Sequence, residues 1–225
     1  MPSLIEQRQE AYENPSLVMR PSLPFYMLVE KAPRSGCPHD VRYGCMELNG
    51  VEGILLYVSP LDAVIRCRSF NREGGKFEVC PFEAIDPRRF ILSRDCWLSL
   101  YICCGFVAQG GKLMLDEYGS PYELIYPLYH QFKPEEIEEH IHLEFDENVR
   151  GWLERVPHIV GLPDYLSLAL EQGQSSMPEL ELTASTALQA VSYIDLNCFD
   201  PTQPAQCAVF DPVESQWCFV DADTN

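Results

Sequence analysis

His140, His142 and Glu144 alternate along HIHLEF (140–145). On a β-strand, alternate side chains point the same way, about 6.6 Å apart. Two imidazoles and a carboxylate on one strand face can converge on Zn²⁺ or Fe²⁺, the ligand set of a metal-dependent hydrolase. The same alternation also describes a half-buried strand whose polar face meets water. A complete metal site would draw its remaining ligands from elsewhere, and the other histidines are His39, His130 and His158. Cys37, His39 and Cys45 lie close in sequence but match no standard zinc spacing.

Other chemistry finds less support. The ten cysteines contain no C-x-x-C pair, and most sit in apolar surroundings, such as Cys103 and Cys104 within WLSLYICCGFVA. Free cysteine is among the most buried residue types, so most are read as small core residues rather than nucleophiles. The sequences G-x-S-x-G, G-x-x-x-x-G-K-[ST], G-x-G-x-x-G and H-E-x-x-H are absent. With four lysines, any phosphate cradle would rest on Arg66, Arg68 and Arg72 or on Arg88, Arg89 and Arg94. Arg66 and Arg68 are expected to pair with acids of this chain instead. No calcium loop is present among the aspartates of the tail, and no cofactor is expected.

Charge is the stronger signal. The 225 residues carry a net charge of −18. Residues 1–133 contribute −2 of it and residues 134–225 contribute −16, with Arg155 the last Lys or Arg. The density peaks at Glu135, Glu136, Glu138, Glu139, Glu144, Asp146 and Glu147. Hydrophobic residues make up 46%, so this acidity is not that of a disordered chain. A surplus of carboxylates excludes a protein that coats nucleic acid or anionic lipid, since both need Lys and Arg. An acidic face keeps a surface solvated, and it also steers a basic partner into contact.

MPSLIEQRQEAYENPS has no apolar stretch of the secretory kind, and the longest apolar run, Trp97–Ala108, is 12 residues. A bilayer-spanning helix needs about 20. A soluble, cytoplasmic chain without membrane partners is expected.

The elements that must position these residues read as α+β: an antiparallel, hairpin-rich sheet with short flanking helices, as one domain or two closely packed lobes. Residues 1–22 read as an N-terminal arm with a short helix near Ile5–Tyr12, 23–133 as a near-neutral lobe and 134–225 as an acidic lobe. Asn49-Gly50 predicts a type I′ hairpin joining 45–48 to 51–58. Ser59-Pro60 predicts a helix start by cap and N1 proline. Trp97–Val107 is a buried strand or two, Gly110-Gly111 turns it into 112–118, and 122–129 follows as another strand. Helices are expected at 147–155, 164–172 (stopped by Gly173) and 184–194, with 173–183 as a linker or long loop. The pair 207–210 and 216–220 closes the chain as a hairpin. "PFYMLVE", "GILLYVSPLDAVI" and "FEVCPFEAIDPRRFI" appear in that order, and residues 24–92 in this respect resemble small bacterial α+β adaptor domains of the SseB-like kind. The resemblance covers under a third of the chain and carries no functional residue.

Together these features favour an acidic protein-binding module without enzymatic activity. A bacterial immunity or inhibitor protein that neutralises a basic toxin or effector domain is its most concrete form. The metal-dependent hydrolase using His140, His142 and Glu144, and a structural or assembly subunit, stand as alternatives. The oligomeric state is open.

Overall fold

The computed structural model describes residues 17–19, 24–30, 42–72, 76–84, 87–134, 137, 141–143 and 147–222. The fold is α+β. Its spine is β6 (Trp97–Gln109), buried along almost its whole length. A strand with apolar side chains on both faces must be covered on both. Leu98, Leu100, Ile102 and Cys104 accordingly enter one core, while Tyr101 and Cys103 enter the other. A bulge between Cys103 and Phe106 then reverses the alternation, so that Phe106 and Ala108 join the second core. Gly105 sits at the bulge with φ +80, and a Cβ there would lie 2.6 Å from Val209 Cγ1. Only glycine fits both that torsion and that contact.

The first half of β6 lies between β4 (Val51–Tyr57), parallel to it, and β8 (Glu123–Gln131), antiparallel. Its second half lies between β7 (Lys112–Leu115) and β11 (Gln206–Asp211), both antiparallel. Beyond β4 come β3 (Cys45–Leu48), β2 (Tyr26–Glu30) and the edge strand β5 (Phe77–Pro81). β10 (Ser192–Asp195) runs parallel to β7, and β12 (Gln216–Asp221) pairs with β11. These ten strands form one sheet. It is hairpin-rich, with two parallel joins. β1 (Leu17–Met19) and β9 (Ile141–Leu143) make a separate parallel pair.

Helices cover both faces. α1 (Pro60–Arg72) packs on α5 (Met177–Gln189) over the second core. The first core takes Phe90 and Ile91 from α2 (Arg88–Leu92) and Trp152, Leu153 and Val156 from α3 (Glu147–Ile159). α4 (Tyr165–Gln172) touches both α1 and α3. Among the described residues no helix is long and apolar enough to cross a membrane.

The hairpin at Asn49-Gly50 forms with φ +53 and +80, as a type I′ turn requires. Ser59 caps α1, its Oγ accepting the Asp62 N–H at 3.3 Å. Three expectations change. Residues 177–183 are helix, not linker: Ser176 and Glu179 form a reciprocal capping box, and Pro178 fits the first turn, where its missing N–H has no cost. That helix ends at Gln189, and Tyr193 and Ile194 are strand, because β7 offers an open edge for them to pair with. α3 continues past 155 through Pro157 to Ile159 and is closed by Gly161, at φ +68, with Leu162 N–H bonding back to the Pro157 carbonyl at 3.1 Å. Gly173 does follow α4, but with ordinary helical torsions (φ −61). Its small size serves packing, because a Cβ there would lie 2.5 Å from the Tyr26 hydroxyl. The possible helix at Ile5–Tyr12 lies outside the described residues.

Candidate functional site

Of the seven acids singled out from the sequence, Glu147 is described. It opens α3 with an exposed side chain, where a carboxylate favours the positive end of the helix dipole. Glu135, Glu136, Glu138, Glu139, Glu144 and Asp146 lie outside the described residues, as do His140, Cys37 and His39. His142 stands on β9 opposite Val18 of β1. Among the described residues no group of three His, Cys, Asp or Glu could hold a metal ion.

The acidic character extends well beyond that cluster. Residues 147–222 hold eleven carboxylates against Arg150 and Arg155, a net of −9. Glu154, Asp164, Glu171, Glu179, Glu181, Asp195 and Glu214 are all exposed. The same region of the chain also presents apolar side chains to water. Leu182 is 71% exposed, Val213 70%, Leu170 43% and Met177 41%. Between α4, α5 and the β11–β12 turn lies a groove of about 220 Å³, with Glu171 and Glu179 on its rim and Leu168, Leu180, Pro212 and Val213 in its wall. The Ser176 hydroxyl and N–H donate to Glu179 Oε2 at 2.7 and 2.8 Å. Those bonds hold its carboxyl below the usual carboxylate range. The exposed apolar residues were missed in the sequence because a leucine on a helix reads as inward. The capping-box spacing Ser176-x-x-Glu179 was the available signal for α5.

A second polar group is buried. Arg66, 5% exposed, reaches Asp116 Oδ2 at 3.0 Å, the Pro121 carbonyl at 3.1 Å and Glu123 Oε1 at 2.8 Å. The Tyr57 hydroxyl donates to the same Glu123 oxygen at 2.9 Å. Burial alone would push the guanidinium's pKa down, but Glu123, Tyr57 and Asp116 outweigh it. The pairing of Arg66 with acids of its own chain thus holds, and this cation is not an anion-binding site. One helical turn earlier, Asp62 Oδ2 accepts the Tyr165 hydroxyl at 2.8 Å and the Gly105 N–H at 3.1 Å. The bulge frees that N–H from the sheet ladder, and Asp62 satisfies it. Both clusters bolt α1 to the sheet.

Cys103, Cys104 and Cys207 are thiols, not disulfide partners. Burial pushes the thiols of Cys103 and Cys104 well up and that of Cys207 up to about 12. Such thiols are neutral and poor nucleophiles, so the reading of these cysteines as core residues stands.

At the far end of the sheet a groove of about 840 Å³ is lined by Val51, Trp97, Ser99 and Tyr129. The ion pair Arg94–Glu52 lies on its rim. Its approach turn carries Asp95 and Cys96 at φ +51 and +67, uncommon torsions for side-chain-bearing residues. Of the residues singled out from the sequence for chemistry it holds Arg94, which is paired with Glu52. No family model, no curated protein and no solved structure matches the chain, so the arrangement of its own residues is what a functional reading rests on.

Proposed function

We propose that the chain is a non-enzymatic protein-binding module of the cytoplasm whose acidic face docks a basic protein. A bacterial immunity or inhibitor protein that covers the cationic active site of a toxin or effector is the concrete form. The observation that supports this most is the interleaving of carboxylates with exposed apolar side chains around α4 and α5. Charge alone solvates a surface, but Leu170, Met177, Leu182 and Val213 gain nothing from water. Exposed apolar side chains set among carboxylates suit docking, in which apolar area supplies affinity and the charges set on-rate and specificity. Glu135, Glu136, Glu138, Glu139, Glu144, Asp146 and Glu147 are the densest run of that charge in the sequence and belong to the proposed partner-binding set.

The partner is sought by affinity capture at low and high salt with mass spectrometry, and its association rate is then measured. Reversing Glu135, Glu136, Glu138 and Glu139 to lysine is expected to slow association at least about tenfold and to flatten its salt dependence, the signature of lost electrostatic steering. Association kinetics unchanged by the four reversals would overturn the reading.

A further inference from the structure

One cavity stands apart from the acidic face. Between α3 and the open ends of β6, β8 and β11 lies a groove of about 730 Å³. That is within the roughly 300–1,000 Å³ typical of small-molecule sites. Its wall is apolar: Val107 from β6, Leu124 and Ile125 from β8, Cys207 from β11, and Trp152 and Ile159 from α3. The bulge at Gly105 creates this wall. By reversing the alternation of β6 it turns Val107 toward the α3 side, where the even-numbered residues before the bulge also point. Trp152 is stacked on Tyr126 at 4.7 Å between centroids, which fixes one side of the groove as a rigid plate.

The rim carries the opposite sign to its surroundings. Arg155 and His158 both line the groove, three residues apart on α3 and so on one helix face. Arg155 is one of two cations in a segment holding eleven carboxylates. Among the described residues none of those carboxylates forms an ion pair with it. Its Nε donates to the Gly151 carbonyl one turn back, at 3.3 Å, which leaves the outer guanidinium nitrogens facing the groove mouth without a protein acceptor among the described residues. The polar side chain at the other end, Gln206, is already committed. Its amide donates to Asp221 Oδ1 at 3.0 Å and its oxygen accepts the Gly111 N–H at 2.9 Å. Recognition of a polar headgroup therefore falls to Arg155, with His158 beside it.

We propose that this groove binds a small amphiphilic monocarboxylate, its hydrocarbon part against Trp152, Leu124 and Cys207 and its carboxylate on Arg155. A guanidinium fork matches a carboxylate in geometry and pairs with it through two parallel hydrogen bonds. The apolar wall selects a hydrocarbon chain or ring. The surrounding field selects the charge: with a net of −9 in residues 147–222, a polyanion such as a nucleotide is repelled, whereas a single charge met by one guanidinium is tolerated. The groove shares no lining residue with the groove between α4 and α5, and its occupant does not depend on a protein partner.

The test is calorimetric titration of the full chain with sodium decanoate below its micellar range, set against decan-1-ol, which has the same chain without the charge. Decanoate is expected to bind at one site, and decanol about tenfold more weakly, as befits the loss of a charge-assisted contact. Arg155→Gln, at an exposed position, is expected to bring decanoate down to the affinity of the alcohol and leave the alcohol unchanged. Ala205→Trp, which fills one end of the groove, is expected to abolish both. Equal affinity for acid and alcohol, decanoate binding unaffected by Arg155→Gln, binding that survives a folded Ala205→Trp, or no binding of either probe would each overturn the proposal. If Ala205→Trp does not fold, the comparison of acid with alcohol in Arg155→Gln decides alone.

Discussion

Replacing Asp62 by Asn removes a charge from a place where water cannot reach it. Asp62 is 2% exposed, and burial pushes its carboxyl up from 3.8 to about 6, against the opposing pull of the Tyr165 hydroxyl and the Gly105 N–H. A folded-state pKa raised above the unfolded value means that the native state holds the proton more tightly. The wild-type protein therefore gains stability as pH falls from 7 through 6 and on toward 4, and is penalised above that range. At 1.36 kcal/mol per unit, a shift of about two units corresponds to a penalty of about 3 kcal/mol at pH 7, falling to about 1 kcal/mol at pH 4.5.

Asparagine keeps an oxygen for both donors and carries no charge at either pH. Its amide group brings two donors that need acceptors, and an unmet donor costs about 1–3 kcal/mol, which can cancel the absolute gain at pH 7. That cost does not vary with pH. The amide does not titrate, and the thiols of Cys103, Cys104 and Cys207 around Asp62 stay neutral across the range. The stability of Asp62→Asn minus that of wild type should therefore rise by about 2 kcal/mol between pH 4.5 and pH 7. Urea unfolding at four or five pH values, analysed for equal slopes, measures this difference. Parallel wild-type and variant curves would show that Asp62 keeps an ordinary carboxyl in the folded state, and the account of the bulge would fail with it.

Two further changes probe the frame around the groove and the helices. Arg66→Ala leaves Glu123 buried without its cation and is expected to lose about 3–5 kcal/mol in urea unfolding, the range for breaking a buried ion pair from one side. Gly161→Ala puts a methyl at φ +68 and 2.0 Å from Val220 Cγ2, so it should destabilise by more than about 1 kcal/mol, read as a drop of several degrees in Tm.

Some of this was legible in the sequence because the physics is local. Asn49-Gly50 dictates its turn by torsion alone, and Ser59-Pro60 announces a helix through two adjacent residues. The acidity of residues 134–225 is a count and needs no fold. What was not legible depends on neighbours far along the chain. Residues 173–183 read as loop because Gly173, Pro178 and several serines weaken a helix in any short window. The capping box at Ser176 and Glu179, and burial of Leu180, Ala184 and Leu188 against α1, decide otherwise. Tyr193 and Ile194 carry an apolar pattern that suits helix or strand, and the free edge of β7, some eighty residues earlier, makes them strand. The docking patch shows the same division. Its carboxylates could be counted, but the exposure of Leu182 and Val213 is a property of what fails to cover them. Asp62 shows it most clearly. In sequence it is an acid in the first turn of a helix, ordinarily a solvent-facing complement to the dipole. It is buried because a bulge 43 residues away frees one N–H inside the sheet, and a carboxylate is the acceptor that reaches it. The same residue type, at the same helix position, thus serves either the surface or the core according to a backbone group that no local window contains.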